Sequence, residues 1–145
     1  MGIRYKIFEE TDLNALIDFY MEHYNAEGGS WTYDITYKRL HQITSMENNL
    51  VLLQYDQEKL VGFLMGYFKY FDDSMGFFLE EILVKSDLQN QGYGTQLLSH
   101  LKKELYQRKC SWIELMTTTG NLHQQFYRKN GYRVSENLVL EYLDL

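Results

Sequence analysis

The sequence predicts one α/β (α+β) domain spanning residues 1–145, built on a mixed sheet of six to seven strands flanked by four helices in the order βααβββαβαββ. Apolar residues recur at helical spacing in some stretches and gather in short β-branched, aromatic and leucine runs in others. No linker, internal repeat or low-complexity tract divides the chain. Proline is absent, so glycine and polar clusters must mark the ends of elements.

Ile3 to Phe8 reads as a short strand. Thr11 or Asp12 can cap a helix whose apolar positions Leu13, Leu16, Ile17, Tyr20, Met21 and Tyr24 share a face. Asn25 to Tyr33, with two glycines, is a loop, and Asp34 can cap a second helix to about Met46. Leu50–Tyr55, Leu60–Tyr70 and Gly76–Lys85 are three strands of a meander, joined by turns at 56–59 and 72–74. After Gly94, Leu97, Leu98, Leu101 and Leu105 mark the buried face of a third helix. Trp112–Met116 is a strand and Leu122–Lys129 a helix stopped by Asn130-Gly131. Tyr132–Val134 and Leu138–Leu143 are the final two strands.

Composition narrows the function. With 45% hydrophobic and 16% aromatic residues the chain can fold, and it lacks an apolar run of about 18 residues, so no membrane partner is expected. A net charge of −6 opposes nucleic-acid binding, which needs clustered basic surface. The charge is uneven: residues 1–75 hold 12 acids and 6 bases, residues 76–145 hold 8 of each. A single cysteine, Cys110, excludes an internal disulfide, and with no leader segment the expected compartment is the reducing cytoplasm. His23, His41 and His100 lack metal-ligand spacing, so no metal is expected.

The most informative stretch is 80–95, a strand, a glycine-containing turn and a helix start in succession. A helix N-terminus offers unpaired N–H groups and the positive end of its dipole, and glycines let an anion approach the backbone. The turn is neither a dinucleotide fingerprint, because Leu97 stands where a third glycine would fall, nor a P-loop, because no Gly-Lys-Ser/Thr follows.

The spacing Val84, Gln89, Gly92, Gly94 resembles the Gln/Arg-x-x-Gly-x-Gly/Ala signature of the GCN5-related N-acetyltransferase (GNAT) family. Asn121 to Tyr132, containing Phe126-Tyr127-Arg-Lys-Asn-Gly, resembles that family's later Asn…Phe-Tyr-x-Lys-x-Gly-Phe helix. Phe77-Phe-Leu-Glu-Glu81 is most similar to the diamine and polyamine acetyltransferases of the family.

The resemblance implies a GNAT fold, acetyl-CoA as donor and CoA as product. The main chain of Ile82, Leu83 and Val84 would pair with the pantetheine arm. Gln89, Asn90, Gln91, Gly92, Tyr93, Gly94 and Thr95 would hold the pyrophosphate, and Asn121 would contact the cofactor. The strand over Trp112–Met116 would splay away to open a cleft for the thioester. Tyr127 matches the acid that protonates the leaving thiolate. The catalytic glutamate maps onto Glu80, with Glu81 or a water relay as alternatives. Neighbouring strand residues point to opposite faces, so only one of the two is expected to look into the cleft.

In this family the loop between the first two helices and the turn between the third and fourth strands line the acceptor site. Here those segments carry Glu27, Asp34, Asp72 and Asp73 with Tyr24, Trp31, Tyr33 and Tyr70, acids and rings suited to a cation. The expected substrate-binding residues are Glu27, Trp31, Tyr33, Asp72 and Asp73, and the expected acceptor is a small cationic amine or polyamine. A protein N-terminus or lysine as acceptor, and a non-enzymatic acyl-CoA sensor, are the alternatives. Family members are often dimers, so a homodimer is a possible assembly.

Overall fold

The computed structural model describes residues 2–145, which form two compact units, one ending at Leu115 and the other running from Met116 to Leu145. In the first unit, β1 (Ile3–Ile7), α1 (Leu13–Ala26), α2 (Tyr33–Thr44), β2 (Asn49–Asp56), β3 (Lys59–Tyr70), β4 (Met75–Val84), α3 (Tyr93–Gln107) and β5 (Trp112–Leu115) follow in that order. The second unit contains α4 (Asn121–Lys129).

The five strands form one sheet in the order β1-β2-β3-β4-β5. β1 to β4 pair antiparallel, and β5 runs parallel to β4 after the α3 crossover. The predicted meander is present. Its first turn is a two-residue hairpin between Asp56 and Lys59, with Gln57 at φ 58°, and the second is a four-residue turn closed by Phe71 N–H to Ser74 O at 2.9 Å.

Both faces of the sheet are covered, which is why β2 and β3 read as nearly continuous apolar runs. Val51, Leu53, Phe63, Met65 and Leu83 form one core with Leu13, Leu16, Ile17 and Tyr20 of α1 and Leu40 and Ile43 of α2. Leu50, Leu52 and Leu64, offset by one residue, are equally buried on the other side, where α3 packs on β3 and β4 through Leu97, Leu98, Leu101 and Leu105.

Several boundaries differ from expectation. A single 3-10 turn, Glu10–Asp12, precedes α1, and the Asp12 carboxylate accepts the Glu9 N–H at 2.8 Å and pairs with Lys6 at 2.8 Å. The cap of α2 is Thr32, whose Oγ1 accepts the Ile35 N–H at 3.3 Å; Asp34 lies in the first turn, where its charge suits the helix dipole. α3 begins at Tyr93, one residue before the second glycine of the loop.

The two terminal strands are not formed: residues 132–145 contain no strand among those described. Apolar, β-prone sequence is not enough for a strand, because the stabilisation comes from pairing partners and same-face packing. The stretch instead turns locally, with Ser135 Oγ accepting the N–H groups of Asn137 and Leu138. Leu138, Val139, Leu140, Tyr142 and Leu143 are exposed. α4 ends as predicted at a glycine: Gly131 has φ 92°, and Tyr132 N–H donates to Tyr127 O at 2.9 Å.

Candidate active site

The site begins with a missing strand partner. β5 pairs with β4 only from Gly76↔Trp112 to Leu79↔Leu115 and then ends. From Glu80 to Val84, β4 keeps its β3 neighbour but has no strand on its other side among the described residues. The N–H and C=O groups along that edge are positioned to take an extended chain as an added strand. Ile82, Leu83 and Val84 lie on this open stretch.

A β-bulge sits at the same point. Met65 faces Glu81 and Gly66 faces Leu79, which leaves Glu80 as the extra residue of β4. Gly66 permits this close approach, because an added Cβ would collide with Phe78 O and stand 2.6 Å from Phe77 Cζ. The bulge resets the alternation. Phe77 and Leu79 are buried outside the α1/α2 core, whereas Leu83, also odd-numbered, belongs to it.

This overturns the expectation that Glu80 and Glu81 point to opposite faces. Both carboxylates reach one atom, Arg39 Nη2, at 2.9 Å from Glu80 Oε2 and 3.0 Å from Glu81 Oε2. Glu81 also accepts the Tyr20 hydroxyl at 2.7 Å, the Tyr24 hydroxyl at 3.4 Å and Arg39 Nε at 3.2 Å, so both of its oxygens are engaged. Among the described residues Glu80 is held by Arg39 alone, through Oε2. Burial, then the Glu81 charge and hydrogen bond, hold the Tyr20 and Tyr24 hydroxyls well above the usual phenol range. Burial works against the Arg39 charge, but its bonds and field from Glu80 and Glu81 prevail and keep it protonated.

Trp31 completes an aromatic wall here, its ring centroid 5.0 Å from that of Tyr20 and 6.2 Å from that of Tyr24. A groove of about 310 Å³ beside it is lined by Trp31, Ile35, Lys38, Arg39 and Gln42. Glu27 lies at the end of α1, near enough to Tyr24 to act on its hydroxyl, and pairs with His23 Nε2 at 3.4 Å. The other expected acceptor residues stand apart. Tyr33 donates to Asn14 Oδ1 at 2.6 Å and is exposed. Asp72 and Asp73 occupy the exposed β3–β4 turn, roughly 20 Å along β4 from Glu80 at the usual rise per residue.

The glycine loop leads from the open edge into α3. Gln89 turns back, its Nε2 donating to Val84 O at 3.1 Å, so this side chain braces the strand end instead of reaching outward. Gln91 Nε2 donates to Asp87 O at 3.1 Å. Asn90 (φ 63°) and Gly92 (φ 93°) take left-handed backbone, and a Cβ at Gly92 would meet nothing within 4 Å, so the surface over the loop is open. The first helical bond of α3 is Gln96 N–H to Gly92 O at 3.0 Å, leaving the N–H groups of Tyr93 and Gly94 in a first turn that no helix carbonyl can satisfy. These features fit a pyrophosphate group.

Sequence reasoning missed what holds the loop. Gln54 of β2, fully buried, donates from Nε2 to Tyr93 O at 3.0 Å and to Tyr5 Oη at 3.3 Å. Tyr93 in turn donates its hydroxyl to Asp56 Oδ2 at 3.0 Å. A glutamine in the apolar run 50–55 was the available signal, since a buried amide must find partners. Arg39 offered no comparable signal in its helix.

The second unit carries Asn121, the exposed first residue of α4, and Tyr127. The Tyr127 ring packs edge-on against Phe126 (5.1 Å) and Tyr132 (5.7 Å). Burial, with a contribution from Tyr127, pushes the Tyr132 hydroxyl up to about 12. Among the described residues no three His, Cys, Asp or Glu gather as metal ligands, and no helix is long and apolar enough to cross a membrane.

A strand edge opened beside a glycine loop at a helix N-terminus defines a class of fold suited to an extended ligand with an anionic end, and comparison with known proteins names it. The acetyltransferase (GNAT) domain family matches residues 47–134, and the chain belongs to that family. The Bacillus subtilis (strain 168) protein YxbD, itself uncharacterized, is 33% identical over 85 residues, covering 58% of this chain. The match spans about half the length of that curated relative. A GNAT family acetyltransferase of Staphylococcus aureus has the same fold at TM-score 0.76 and 22% identity, over 99% of this chain and 100% of that one. An aminoglycoside acetyltransferase from an uncultured soil metagenomic sample, solved in complex with sisomicin, has TM-score 0.78 and 17% identity over 99% and 97%. At these identities the likeness is one of fold.

Proposed function

We propose that this chain is an acetyl-CoA-dependent N-acetyltransferase whose acceptor is the primary amine of a small cationic molecule. The observation that carries this reading is the coincidence at Glu80 of two features. The free edge of β4 starts there, and two carboxylates project there beneath an aromatic wall. One feature suits the pantetheine arm of the donor and the other an amine.

Bound acetyl-CoA supplies a thioester carbonyl open to attack by a neutral amine. The chain's own residues hold and orient. The main chain of Ile82 to Val84 takes the arm as a strand, and the backbone of Gln89 to Thr95 holds the phosphates, with Gln89 and Gln54 keeping the loop in shape. The acceptor ammonium must lose a proton to become nucleophilic, and Glu80 Oε1, which carries no hydrogen bond among the described residues, is the atom to receive it. Glu81, saturated by Tyr20, Tyr24 and Arg39, anchors the cluster. The motif on α4 assigns Tyr127 the proton for the departing thiolate and Asn121 a contact to the cofactor.

An acceptor screen tests the reading. Thiol release from acetyl-CoA is followed with simple amines, spermidine and sisomicin against anionic amino acids. A reaction without acceptor subtracts the background of Cys110, a half-buried thiol that burial pushes up. Turnover with one or more of the cationic amines is expected; preference for the anionic acceptors would sink the proposal.

A further inference from the structure

The charge balance of the carboxylate cluster narrows the acceptor further, and the inference rests on the proposed amine-acetylating role of this site. Arg39 comes from α2, with 26% of its side chain exposed, and lies on the wall of the groove with Trp31, Ile35, Lys38 and Gln42. A guanidinium stays charged at any working pH. A single Arg39 nitrogen bridges Glu80 and Glu81, a position that the ammonium of a doubly held cation would otherwise occupy. At the bridge itself two carboxylates, Glu80 and Glu81, meet one guanidinium, so one net negative charge remains there. The aspartates that could hold a second, distant ammonium, Asp72 and Asp73, lie at the far end of β4.

We propose that Arg39 sets the charge of the acceptor, admitting amines with one cationic centre and discriminating against diamines and polyamines. One ammonium matches the residual negative charge. A second ammonium in the groove would meet Lys38 and Arg39, and no carboxylate is among the residues that line it. Arg39 acts through charge at the groove wall; it takes no part in proton transfer.

The test compares kcat/KM for 6-amino-1-hexanol with that for 1,6-diaminohexane, two chains of similar length that differ in one charge. The wild-type chain is expected to favour the amino alcohol. In Arg39→Gln the ratio should move toward the diamine by about fivefold, the effect of one freed, partly exposed carboxylate. Arg39→Lys, which keeps the charge and loses the fork, should stay near wild type. A purely structural role for Arg39 would lower both rates and leave the ratio unmoved, and an unchanged ratio in Arg39→Gln overturns the proposal. Should that variant not fold, the wild-type ratio decides alone: a diamine preference beyond the statistical advantage of its two equivalent amines overturns it. Absence of transfer to every amine, with acetyl-CoA still bound, instead refutes the proposed function.

Discussion

The Tyr20 hydroxyl donates to Glu81 Oε2 at 2.7 Å, tying α1 to β4 across 61 residues of sequence. Tyr20 is 2% exposed, so the bond is shielded from water and its acceptor is charged. Tyr20→Phe should lower unfolding free energy by about 2 kcal/mol in urea titration. Tyr24→Phe should cost less than about 1 kcal/mol, because its bond to Glu81 is long at 3.4 Å. Both variants keep the ring, so equal losses would show that the length of the bond to Glu81 does not set its worth.

Gln54 and Asp56 reach the glycine loop from β2, through Tyr93 O and the Tyr93 hydroxyl. Tyr93→Phe frees one of these tethers without emptying the core. The expected result is a rise in KM for acetyl-CoA of about three- to tenfold with kcat nearly unchanged, the signature of lost loop positioning. An equal fall in kcat would place Tyr93 in the chemistry instead.

Glu80→Gln removes the proposed proton acceptor while keeping a hydrogen-bonding partner for Arg39. Its kcat should fall by about 100-fold or more, the usual worth of a positioned acid or base. Glu81→Gln should lose mainly stability, since its oxygens serve Tyr20, Tyr24 and Arg39. Tyr127→Phe is expected to lower kcat by a comparable factor to Glu80→Gln. Steady-state kinetics beside thermal melts would separate the three.

His100 stacks on Tyr5 with ring centroids 4.1 Å apart, and burial holds its imidazole below the ordinary value of 6.5. Above that value both folded and unfolded chains carry it neutral. As pH falls below 6.5 the unfolded chain takes the proton first, so this contribution to stability is lost through the folded pKa. Between about pH 7.5 and about pH 5.5 the loss of Tm should be smaller for His100→Gln than for the wild type. Parallel curves would show that His100 titrates alike in both states.

The glycine loop was legible because its requirement is local: a left-handed residue at Gly92 and a helix starting beside it follow from neighbours in sequence. The Glu80–Glu81 pair was misread because the rule of alternating faces holds only for an unbroken ladder. The cause of the break, Gly66 opposite the bulge, lies on another strand. Arg39 was invisible for the same reason, as a polar residue in an amphipathic helix whose partners are 41 and 42 residues away.

By itself the sequence determined what short-range periodicity and turn chemistry can specify: the helices, the β2–β3–β4 meander and the glycine turn that leads into α3. Tertiary structure alone decided where β5 leaves β4, that both glutamates share a face, and that Tyr132–Val134 and Leu138–Leu143 form no strand. Each of these depends on pairing or charge between segments far apart in the chain. Their energies arise only when an edge, a bulge or a guanidinium is brought into place.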